Sequence, residues 1–244
     1  MKTKILVLAT LISFGGFAQD SIQILQPHGQ IFSLSPISKN VDKVNGLVFG
    51  VGHVENKNIA KQTINGMNVE ANPAPIVGAF YAVLVTVYLP EILKRGVLTA
   101  KKNDSLPPTH KIKNWTYTPD LKINGINLST GCFFTTTSIN GLNISLGNKF
   151  KTLNGLSIAP LGTIADVQNG VSCGLINVHN NLRGACFGIY NNDFGLNGAQ
   201  LGVCNYANNN QGIQIGIYNK SYSRGLQLGI WNKNNRRQLP LINF

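Results

Sequence analysis

Residues Gly212 to Asn219 read "GIQIGIYN", and Gly225 to Asn232 repeat the phrase as "GLQLGIWN". Aliphatic residues stand at every second place, with Gly, Gln and Asn between them. Such alternation is the mark of a strand with one apolar and one polar face. Working outward, the same glycine recurs as Gly125, Gly141, Gly155, Gly170, Gly184, Gly198, Gly212 and Gly225, spaced by 16, 14, 15, 14, 14, 14 and 13 residues. The period is therefore about fourteen.

Counting from each of these glycines, the aliphatic residues fall one, three and five places later, as in Ile213, Ile215 and Ile217. Gln200, Gln214 and Gln227 fall two places later, a second Gly four places later, and Asn177, Asn191, Asn205, Asn219 and Asn232 seven places later. A further turn signal, "ING", "LNG" or "VNG", introduces Gly46, Gly66, Gly125, Gly141, Gly155 and Gly198. Gly permits unusual backbone angles and Asn tolerates left-handed ones, so each repeat holds two corners and two short strands. The expected orientation puts the aliphatic residues in the core and the Gly, Gln and Asn residues outside.

Two architectures join such strands. In a parallel β-solenoid each repeat is one coil stacked on the last at ~4.8 Å, and fourteen residues give a contour of ~46 Å, enough for two strands and two tight corners. Coil length must then stay nearly constant, as it does here. The alternative is a transmembrane antiparallel β-barrel, but strands of five or six residues fall short of the nine to eleven that span a bilayer. Tyr190, Tyr218 and Trp231 are also in phase with the Gly and Gln residues, so on an unbroken barrel strand they would face the lumen, and Pro240 interrupts the last strand. The expected fold is all-β, a solenoid or β-roll with an apolar insertion.

The chain divides accordingly. Residues 1–19 run from Lys2 and Lys4 through the apolar stretch Ile5–Leu11 to small residues near Ala18, the layout of a secretory signal peptide. Residues 20–43 form an N-terminal segment, 44–72 a first repeat block, 73–120 an insertion and linker, and 121–244 the tandem repeats. The insertion opens with Ile76–Leu89, "IVGAFYAVLVTVYL", too short for a comfortable membrane span and bracketed by Pro73, Pro75 and Pro90. It is expected to plug one end of the stack, with membrane contact as the other reading.

The tandem repeats, together with "VNGLVFGVG" (Val44–Gly52), "INGMNVEANP" (Ile64–Pro73) and "LPLIN" (Leu239–Asn243), resemble the bacterial surface repeat-containing proteins. The resemblance covers most of residues 44–244 and implies export and an envelope, outer-membrane or cell-surface location. It brings no reaction and no catalytic residues. The insertion departs from the repeat pattern.

Only 12% of residues are charged, and the formal net charge is +12. Removing residues 1–19 leaves 19 basic against 9 acidic residues, about +10. Acidic glycans or an anionic membrane surface are suitable partners for such a chain, whereas nucleic acid is not expected, because the basic residues are scattered and lack interleaved aromatics.

The four cysteines, Cys132, Cys173, Cys186 and Cys204, occupy different places in the repeat and read as isolated small hydrophobes rather than as a disulfide framework. Neither a metal motif nor a cofactor motif is present. His28, His53, His110 and His179 are far apart in sequence, and Asp193 reads as a surface partner of Arg183. The expectation is a structural or adhesive envelope protein without catalysis, the alternative being an outer-membrane barrel or pore. The candidate binding face is Tyr190, Tyr218 and Trp231 with Gln200, Gln214 and Gln227.

Overall fold

The computed structural model describes residues 28–54, 56, 59, 61–73, 121–131 and 135–244. The signal-peptide reading at 1–19, the run Ile76–Leu89 and the linker after it lie outside these residues. The described chain is all-β: β1 (His28–Ser35), β2 (Val41–Gly50), β3 (Gln62–Glu70), β4 (Leu121–Ser129), β5 (Thr137–Ser145), β6 (Gly147–Ile158), β7 (Gly162–Cys173), β8 (Ile176–Asn210), β9 (Ile213–Ser221), β10 (Leu226–Lys233) and β11 (Gln238–Asn243). All eleven lie in one sheet in sequence order. Every pair from β1 to β10 is parallel, and only β10 and β11 run antiparallel.

Parallel neighbours in strict sequence order, thirteen to sixteen residues apart from β4 to β10, are coils of a β-solenoid. A transmembrane barrel would need antiparallel neighbours, so that alternative is set aside. The long β8 is the chain winding through more than two coils without a break. Gly46 pairs with Gly66, Gly66 with Gly125, Gly125 with Gly141, and so on to Gly184. Because Ile64 sits beside Ile123, the two repeat blocks form one continuous sheet, and the insertion leaves between two stacked coils.

The repeat glycine is required by its position. At Gly184 φ is 137°, and a Cβ there would collide with the carbonyl oxygen of Gly170 one coil below. The second corner uses a different device. The glycine four places on, such as Gly216, lies under the Asn amide that folds inward from the corner. A Cβ on Gly216 would meet the Gly202 carbonyl and the Asn205 Nδ2. Gly and Asn are thus two parts of one corner.

The interior is the reverse of the orientation expected from the aliphatic alternation. Ile215 is 42% exposed while Gln214 is fully buried, and the same holds along the stack. Buried two places past the repeat glycine are Asn68, Asn127, Asn143, Ser157, Ser172, Cys186, Gln200, Gln214 and Gln227. The aliphatic core comes instead from two places before the glycine: Val44, Ile64, Ile123, Ile139, Leu153, Leu182 and Leu196.

Polar burial is tolerated because each amide meets its own kind one coil away. An amide both donates and accepts, so a column of them passes hydrogen bonds from coil to coil and leaves an unpaired atom only at its end, as at Asn177 Oδ1. Gln214 donates to Gln200 Oε1 at 2.7 Å and accepts from Gln227 Nε2 at 2.8 Å. At the corner, Asn205 Nδ2 donates to Asn219 Oδ1 at 2.8 Å and to the Ile215 carbonyl at 2.9 Å. The column Asn177, Asn191, Asn205, Asn219, Asn232 is joined throughout in this way.

At the C-terminal end β11 continues the inner column. Asn243 stands opposite Gln227 and donates to its Oε1 at 3.0 Å. Arg237 fastens this strand, with Nε on Asn243 Oδ1 at 3.0 Å and the guanidinium over the Phe244 ring.

Candidate functional surfaces

With the amides inside, the aliphatic residues one, three and five places past each repeat glycine form the outer wall. Their columns are in register across the sheet: Leu47, Met67, Ile126, Leu142, Leu156, Val171 and Ala185 in one, and Phe49, Val69, Leu128, Ile144, Ile158, Cys173 and Phe187 in the next. Phe32 and Leu34 of β1 extend them at one end, and Ile213, Ile215, Leu226 and Leu228 at the other. The third column holds Leu175, Ile189, Val203, Ile217 and Ile230, the last 66% exposed. No charged residue occurs in these columns. A soluble monomer seldom shows a contiguous apolar patch beyond a few hundred Å², and larger ones mark interaction sites.

The candidate binding face from the sequence is split by this geometry. Gln200, Gln214 and Gln227 are inside the coil and touch no solvent, so they bind nothing external. Tyr190 and Trp231 are exposed and Tyr218 half-buried, at the edge of the apolar wall. Trp231 is in register with Tyr218, and Tyr218 with Cys204. Cys204 interrupts the column, and Tyr206 closes the gap from two places further on. Its ring centroid lies 5.3 Å from Tyr190 and 5.8 Å from Tyr218. Sequence reasoning missed Tyr206 because it is out of phase with the repeat.

The opposite edge of the wall carries an amide column. Asn65 donates to Asn45, Asn124 to Asn65, Asn140 to Asn124, Asn154 to Asn140 and Asn169 to Asn154, all at 2.6–2.8 Å. Beyond it, Lys43, Lys61 and Lys122 surround an open cleft with Asp42, Thr63 and Asn65.

Among the described residues two histidine–carboxylate pairs lie in the interior. His53 Nε2 is 2.7 Å from Glu70 Oε1 and 3.1 Å from Asn68 Oδ1. His179 Nδ1 is 2.6 Å from Asp193 Oδ1, fourteen residues and one coil away. Asp193 is therefore buried against His179, not paired with Arg183 on the surface. Its other oxygen accepts from Gln200 Nε2 at 2.6 Å, and Cys186 Sγ is 4.0 Å away.

His179, Cys186 and Asp193 have the donor types of a metal site. Their chemistry here fits a structural network better. Burial, and after it the Asp193 charge, push the Cys186 thiol well above its ordinary range, so within this network it is a neutral thiol. Both Asp193 oxygens already accept short hydrogen bonds. All three residues are shut off from solvent, which also removes them from contact with any external substrate. Cys173, Cys186 and Cys204 are free thiols.

Fold and surfaces together define the class: a parallel β-solenoid with amide ladders inside and an uncharged aliphatic wall outside. Scanned against protein-family models, curated proteins and solved structures, the chain matches none of them.

Proposed function

We propose that this is an exported envelope or cell-surface protein with a structural or adhesive role, acting through its aliphatic wall and not through catalysis. The observation that carries the reading is the uncharged outer wall itself, two aliphatic columns wide along the stack and three from Leu175 onward. Ile215 is 42% and Ile230 66% exposed while amides fill the interior, so much of this apolar surface is left uncovered by the chain itself. Burying that wall against something else is worth about 25 cal/mol per Å². The signal-like residues 1–19 support export, and the Lys43, Lys61 and Lys122 cleft offers an acidic glycan a place to dock beside the wall.

The test is location. Expressed in a Gram-negative host, the protein should reach the cell envelope, start within about three residues of Asp20 by intact mass, and be digested by protease added to whole cells. Cytoplasmic protein with Met1 still attached would overturn the proposal.

A further inference from the structure

The geometry points to a second copy of this chain as the occupant of the aliphatic wall, the two solenoids packing wall to wall as a two-fold dimer. This deepens the reading of the wall as the working surface by naming what covers it.

Area is the first argument. Ten strands and two passes of β8 make twelve rows, which at ~4.8 Å give a wall ~53 Å long, and five residues at ~3.3 Å make it ~16 Å across its three columns. The product is close to the ~800 Å² per partner of a stable protein interface. Composition is the second, since a charge-free aliphatic centre between rims of Asn and Tyr side chains has the anatomy of such an interface. An anionic bilayer would instead be met by lysines along the rim. Here the rim beside the wall is amide from Asn45 to Asn169 and carries cations only further on, at Arg183, in register with Asn169, and at Arg224, while Lys43, Lys61 and Lys122 sit beyond it near one end.

Shape is the third argument. Phe187, 42% exposed, stands beside the small residues Ala185 and Ala199. A two-fold axis through this point sets the Phe187 ring of each copy into the Ala185–Ala199 hollow of the other, as self-complementary interfaces require. Cross-coil ridges repeating at ~4.8 Å are also matched best by another wall with the same repeat.

Cys173 lies in the wall and is partly exposed, so it reports the cover without any mutation. The experiment follows maleimide labelling of Cys173 in the full exported chain by peptide mass, alongside sedimentation, across a dilution series from about 50 µM to about 50 nM. Labelling is expected to be slow in the dimer and to accelerate at least tenfold as the protein dissociates. Ile215→Asp should weaken the dimer at least a hundredfold with an unchanged circular dichroism spectrum, and Asn209→Asp, the same charge at an exposed place beyond the rim, should leave it intact. Three results would overturn the proposal: a monomer whose Cys173 labels fast at every concentration, a monomer protected only by phosphatidylglycerol vesicles, or a monomer protected at every dilution. The second would assign the wall to lipid and the third to another part of the same chain, while the envelope location would stand in each.

Discussion

The two halves of the solenoid are built on the same coil and filled with different chemistry. From Val41 to Ala165 the interior is a continuous aliphatic cluster that includes Ile64, Leu121, Ile123, Ile139, Phe150 and Leu153. From Leu182 onward only a small cluster of Leu182, Cys186, Leu196 and Ala207 remains, and the interior is occupied by Gln200, Gln214, Gln227 and the Asn177–Asn232 column. The outer Asn ladder, Asn45–Asn169, belongs to the first half, where a shorter inner one runs from Asn68 through Asn127 and Asn143 to Ser157, whereas in the second half the Asn177–Asn232 ladder is wholly inside. The first half joins an aliphatic cluster to a short inner amide column, and the second relies on hydrogen-bond continuity with little aliphatic core. Between them lies a junction coil where neither is complete: Gln168 Oε1, Ser172 Oγ and His179 Nε2 are buried there without a hydrogen-bond partner.

The comparison is broken most severely by altering coil length in the amide half. Deleting Gly198–Gln211, a full fourteen-residue coil, joins Asn197 to Gly212. Gln214 then replaces Gln200 above Asp193, and Asn219 replaces Asn205 above Asn191. Stability in a stacked array is a sum of coil and neighbour terms, so a shorter folded rod is expected. Deleting only Gly198–Cys204 puts every later side chain out of its column and should abolish the fold. Circular dichroism and protease resistance of the two deletions decide it, and equal survival of both would refute column continuity as the source of stability.

Point substitutions sharpen the same contrast. Gln214→Glu puts a carboxylate where the Gln214 amide donates to Gln200 Oε1, and it should cost on the order of 3–5 kcal/mol. Ile215→Asp, one residue away on the outer wall, should cost the monomer under about 1 kcal/mol. Urea melts in dilute protein, below the concentration at which it dimerises, measure the difference.

The repeat period, parallel stacking and Gly-on-Gly register are all legible in the sequence, because coil length and corner residues are local properties. Which face points inward is not. Alternation fixes a period of two without a sign, and the usual assignment of aliphatic residues to the core fails where amides can pair with copies of themselves. Two signals carry the sign: the Ile, Leu or Val two places before each glycine, and the Gly that leaves room beneath each corner Asn. The fourteen-residue separation of His179 and Asp193 likewise announces a stacked pair once the coil length is known, although a lone carboxylate reads as a surface group. The Tyr190, Tyr218 and Trp231 edge could be read directly, whereas Tyr206 could not.

The two amide columns should respond unequally. Asn205→Ala removes hydrogen bonds to Asn219 and the Ile215 carbonyl and leaves Asn191 Nδ2 short of a partner, all in the interior. A loss of about 2–4 kcal/mol is expected. Asn140→Ala, in the outer column, removes bonds that water can replace, and about 0.5 kcal/mol is expected. Equal losses in thermal denaturation would mean that the inner column is no more than packing.

At the junction coil the sign reverses. Ser172 Oγ is buried without a partner, so Ser172→Ala removes an unsatisfied group and leaves a smaller apolar one. Stability should rise, by up to about 1 kcal/mol. A fall of that size in urea melts would show that the hydroxyl has a partner in solution.

The smallest effect is expected in alkali, at the aromatic edge of the second half. Tyr206 is held between Tyr190 and Tyr218, and burial, then the neighbouring Cys204 and the two tyrosines, push its hydroxyl up to about 12 from an ordinary value of 10.0. The fold therefore favours the protonated phenol. Its contribution is fully present below pH 10 and is lost as pH rises through about 12, because the unfolded chain releases that proton first. Burial raises Tyr190 and Tyr218 in the same direction. The aliphatic half has no such cluster among its described residues, so alkaline loosening should begin at the C-terminal coils. Phenolate absorbance should show a late-titrating tyrosine that disappears in Tyr206→Phe, whose stability at pH 7 stays close to that of the parent and whose decline between pH 10 and 12 is shallower. A Tyr206→Phe protein that retains the late phenolate would place it on Tyr190 or Tyr218, and an unaltered alkaline decline would sever the link between this edge and the stability of the amide half.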